Sequence, residues 1–64
     1  MIFDMVPRYL RETQGADLPD DWRWVRCVST FADPLTVRFI GADGAAWHVN
    51  IAEYKAWYDD RQQT

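Results

Sequence analysis

The chain has 64 residues, with ten acidic side chains against seven basic ones and a net charge of -3. That length allows one small domain, and the shortage of cations argues against a protein built to grip phosphates. A lone cysteine, Cys27, excludes an intramolecular disulfide and fits a reducing compartment.

The core of so short a chain must come from large side chains. Four Trp, three Tyr and three Phe supply them, each able to bury roughly 150–250 Å². No run approaches the roughly 18 apolar residues needed to cross a bilayer. Met1 to Val6 is too short, and lacks the leading basic residues, for a secretory signal. The expectation is one soluble cytoplasmic domain, monomeric and with no membrane attachment.

Residues 1–15 read as a helix, because Ile2, Phe3, Val6, Tyr9 and Leu10 recur near one face. Asp4 is its expected cap, and Pro7 is tolerated only in the first turn. Arg8 and Glu12 stand four apart and can pair. Gly15 is the expected left-handed stop. Residues 16–21 (ADLPDD) read as a polar loop leading into the sheet.

Three strands follow in a meander. The first is expected over Trp22 to Phe31, with Trp22, Trp24, Arg26 and Val28 on one face and Val25, Cys27, Ser29 and Phe31 on the other. The second, Leu35 to Ile40, sets Leu35, Val37 and Phe39 against Thr36, Arg38 and Ile40. The third, Ala45 to Ile51, sets Ala45, Trp47, Val49 and Ile51 against Ala46, His48 and Asn50. Turns are read at Ala32-Asp33-Pro34 and Gly41-Ala42-Asp43-Gly44. A second helix starts with Asn50 as cap and Glu53 three residues on, a capping-box spacing, with Val49 and Tyr54 placed as a hydrophobic staple. Asp59, Asp60 and Arg61 end it, and residues 62–64 are expected to fray.

The fold class expected is α+β, in the order α-β-β-β-α: a three-stranded antiparallel meander with two helices packed on one face. That arrangement buries Leu35, Val37, Phe39, Trp47, Val49 and Tyr54 together. It also has a consequence for charge. If the second helix packs back across the sheet, Asp17, Asp20, Asp21, Asp43, Asp59 and Asp60 gather at one end, against Arg23 and Arg61 alone. The excess there is roughly four negative charges. Aspartates suit turns for local reasons. Asp59 and Asp60, however, sit at a helix C-terminus, where acids oppose the dipole at a cost of about 0.3–1 kcal/mol each.

Catalytic and cofactor signals are absent. His48, the only histidine, has no nucleophile at a telling spacing, and no Cys/His cluster has metal-ligand spacing. The GADG turn lacks the GxxxxGK[ST] pattern of a phosphate loop. A rival surface arises if Val25, Cys27 and Phe31 face the core. Trp22, Trp24, Arg26, Arg38 and His48 then share the open face of the sheet, a combination suited to a protein or single-stranded nucleic acid.

A small, acidic, Trp-rich, cysteine-poor α+β chain with aspartates in ADLPDD, GADG and YDD resembles phage-borne anti-CRISPR proteins, small inhibitors of type I-C systems in particular. The resemblance covers the whole chain through its general character, since these proteins share no common motif. It implies a non-enzymatic viral inhibitor, without cofactor, acting in the host bacterial cytoplasm. The implied partner is a CRISPR surveillance complex, through a cationic groove on its large DNA-recognising subunit. The chain would block target DNA with a DNA-mimicking surface and bind no nucleic acid itself. DNA carries about one charge per 1.7 Å of helix axis, so clustered carboxylates can imitate a short stretch. On that reading the contact residues are the six aspartates above, with Trp57 and Trp22 as an apolar patch beside them.

Overall fold

The computed structural model describes residues 2–62. A 3-10 turn at Ile2–Met5 leads directly into helix α1, Val6–Gln14. Asp4 does not cap it: the N-cap position falls to Met5, without a side-chain hydrogen bond. Pro7 lies in the first turn, where no helical donor is lost. Gly15, at φ 65° and ψ 26°, stops the helix in the left-handed region that glycine reaches without strain. The Ala16 N–H then donates back to the Leu10 carbonyl at 3.2 Å.

Strands β1 (Trp24–Ser29), β2 (Thr36–Gly41) and β3 (Ala46–Asn50) form one antiparallel sheet in the order β1-β2-β3, as the meander requires. Helix α2 covers Ile51–Gln62; positions 63 and 64, part of the expected fraying end, lie outside the described residues. Its start is as read. Asn50 Oδ1 accepts the Glu53 N–H at 3.1 Å, and Val49 and Tyr54, the staple pair, are both fully buried. The Ile51 N–H donates to the Leu35 carbonyl at 3.2 Å, which ties the head of the helix to the foot of β2.

Both helices cover the same face. Val37 pairs with Val49, and Phe39 with Trp47, so these residues point to one side of the sheet. There they join Val6, Tyr9 and Leu10 of α1 and Ile51 and Tyr54 of α2. The centre is a stack of rings. Phe3 packs edge-on to Phe39 at 5.4 Å, and Tyr9 edge-on to Tyr54 at 5.1 Å. Such ring pairs add roughly 0.5–1.5 kcal/mol beyond the area they bury.

The first strand departs from its expected alternation. The register slips between Trp24 and Arg26, a bulge at Val25. One extra residue reverses which side later side chains face. Trp24 therefore shares the helix side with Cys27 and Ser29, which sit opposite Phe39 and Val37, while Arg26 and Val28 point to the open side. Trp24 is half-buried against the core and donates its indole N–H to the Phe3 carbonyl at 3.4 Å.

Several expectations fail. Val25, at 60% exposed, and Phe31, at 93%, are not core, and Cys27 is exposed as well. Leu35 precedes β2 and is 41% exposed, although its carbonyl accepts the Ile51 N–H at the head of α2. Trp22 precedes β1 and is buried on the core side. The 16–21 loop is not wholly polar either. Ala16 and Leu18 are buried, and Arg11 holds the loop by donating to the Leu18 and Pro19 carbonyls at 3.2 and 2.6 Å.

Candidate functional site

Two of the three acidic segments meet. Trp22 leaves the 16–21 loop, packs under the β2–β3 turn and donates its indole N–H to Asp43 Oδ1 at 3.4 Å. The same oxygen accepts the Ala45 N–H at 3.1 Å, the short-range bond that suits aspartate to turns. Gly41 makes this approach possible. A Cβ there would lie 2.6 Å from Trp22 Nε1 and 2.7 Å from Asp43 Oδ1.

An open hollow of about 390 Å³ separates loop from turn, lined by Pro19, Asp21, Trp22, Arg23, Val25 and Asp43. Asp21 and Asp43 thus share one depression, with Arg23 beside them. Asp17 and Asp20 stand exposed on the same loop.

The third acidic segment lies on α2. Asp59 and Asp60 are exposed in its closing turns. Their neighbour Arg61 pairs with Glu12 and lies over the Trp57 ring, 4.3 Å from its centroid. Trp57 also meets Tyr9 edge-on at 5.3 Å. Trp57 and Trp22 are therefore engaged inside the fold: Trp22 is buried and Trp57 half-buried beneath a cation. Trp22 is not a free apolar patch, which corrects the role expected of it, while Trp57 keeps part of its surface beside Arg61.

The opposite chemistry occupies the open side of the sheet. Val28 pairs with Arg38, Arg38 with His48, and Arg26 with Ile40. Arg26, Arg38 and His48 are exposed together, while Trp22 and Trp24 lie on the other side. The rival surface keeps its cations and loses its aromatic rings. None of the three strands contains an acid.

Sequence reasoning missed the side chains that hold these surfaces in place. Arg11 clamps the acidic loop, and Gln14 donates its amide to the His48 carbonyl at 2.8 Å. Both contacts reach from α1 to main-chain carbonyls, which leave no signature in the order of residue types. Among the described residues no group of three or more His, Cys, Asp or Glu side chains is arranged to hold a metal ion, and no helix is long and apolar enough to cross a membrane. Comparison with protein-family models, with characterised proteins and with solved structures yields no match.

Proposed function

We propose that this chain is a non-enzymatic inhibitor whose acidic end occupies a cationic, nucleic-acid-binding surface on a larger assembly. The supporting observation is the junction of the 16–21 loop with the β2–β3 turn through Trp22 and Asp43. It holds carboxylates from separate segments on one frame, so little ordering is needed when a partner binds. The partner that fits both this surface and the resemblance to anti-CRISPR proteins is a type I-C surveillance complex. Its large DNA-recognising subunit would offer the cationic groove.

The test is a variant carrying Asp20→Lys, Asp21→Lys, Asp59→Lys and Asp60→Lys. Asp43 is left in place because its carboxylate anchors the turn. In a DNA-binding assay with purified surveillance complex, the wild-type chain should block target binding, and less effectively as salt rises. The variant should keep its circular dichroism spectrum and lose at least about tenfold in inhibition. Undiminished inhibition by the variant overturns the acidic surface. An inert wild-type chain overturns the target.

A further inference from the structure

We infer that the free edge of β1 is a docking site for an extended, acidic peptide segment, which would join the sheet as a fourth strand. The Thr30 N–H donates to the Thr36 carbonyl at 2.8 Å, so this opposed pair is hydrogen-bonded. Alternation along an antiparallel ladder then turns the main-chain groups of Val28 toward β2 and those of Cys27 and Ser29 outward. On the other side of the sheet, the same alternation turns the His48 carbonyl outward, where Gln14 caps it. Among the described residues no such latch covers β1.

The strand is uncovered in other ways too. Cys27 and Ser29 face the helix side, opposite buried Phe39 and Val37, yet both are exposed. The helix layer therefore ends before it reaches the outer half of β1. Outward N–H and C=O groups call for an extended backbone.

Charge selects which backbone. The open face beside this edge presents Arg26 and Arg38, with His48 beyond them and no acid in any strand. Pairing β1 with β1 of a second copy would set four arginines on one continuous face, and like charges across strands are destabilising. A single-stranded nucleic acid would need successive rings to stack on, and with Trp22 and Trp24 on the opposite side only Phe31, just past the end of β1, stands exposed near this edge. A strand with carboxylates on alternate residues satisfies both the edge and the face. This inference stands apart from the acidic end and does not depend on it.

The probe is a capped peptide, Thr-Glu-Val-Glu-Val-Glu-Thr, titrated into the isotopically labelled chain and followed by amide chemical shifts. Cys27 and Ser29 should shift most, and the counterpart with Lys for Glu should leave them unmoved. Arg26→Glu with Arg38→Glu should weaken binding by about tenfold. Ser29→Pro removes an outward donor that the β1–β2 ladder does not use, and should abolish binding. Should that variant misfold, N-methylation of alternate peptide amides makes the same cut from the other side. Equal binding of the lysine peptide, shifts centred away from β1, equivalent shifts with oligothymidine, or a concentration-dependent dimer would each overturn the inference.

Discussion

At the scale of single residues, close approach and burial decide what can change. Gly41 has a negative φ, so its need for glycine is steric: a methyl group would collide with the Trp22 indole and the Asp43 carboxylate. Gly41→Ala should cost about 1–3 kcal/mol, the usual range for overpacking, read as a lower urea midpoint. Tyr54 shows the effect of burial on ionisation. Desolvation of the phenol, partly offset by a main-chain hydrogen bond from Met5, pushes its pKa up to about 12 from 10.0. Below pH 10 the phenol is neutral in both folded and unfolded chains, so it adds no pH dependence there. Between 10 and 12 the unfolded chain releases the proton first, and the folded state loses stability. Tyr54→Phe should flatten that alkaline loss in a pH series of thermal melts. It should also lower stability at neutral pH by about 1 kcal/mol, because the Met5 bond goes.

At the scale of elements, the two ends of α2 behave oppositely. Its start is well made, and Asn50→Ala should cost about 1 kcal/mol through the lost Glu53 bond. Its end carries Asp59 and Asp60 against the helix dipole. Asp59→Lys and Asp60→Lys should each raise stability by about 0.3–1 kcal/mol at low salt, seen as a higher melting temperature. A double variant that melts higher yet inhibits less would show that these acids serve binding at the expense of the helix. The same elements explain what the chain order made legible. Asn50, Glu53, Val49 and Tyr54 act within one turn of each other, so the helix start is a local matter. Gly15 is likewise a local stop.

For the whole molecule, one buried cluster joins both helices to β2 and β3, while β1 is held through one edge and Trp24. Amide exchange should follow that division. The Val37, Phe39 and Val49 amides should exchange slowest, and the outward amides of Cys27 and Ser29, with that of His48 on the opposite edge, fastest among the strand residues. Uniform protection across the three strands would contradict it. The charge pattern also belongs to this scale. Acids line the loop and turn at one end, cations sit on the open sheet face, and the core between them holds neither.

The element order, the meander and the start of the second helix are legible in the chain alone, because periodicity, turn chemistry and caps act over a few residues. Val37, Phe39, Val49 and Tyr54 form the core as their spacing predicts, whereas Leu35, on the same alternation as Val37 and Phe39, is exposed and Trp47 is only half-buried. The facing of β1 emerges only on folding. A bulge at Val25 inverts the alternation, and no residue type there announces it. Only the structure could move Trp22 from sheet face to core, because the space it fills lies under Gly41, 19 residues further along the chain. A close approach between distant segments depends on how layers pack, and local pattern carries no record of it.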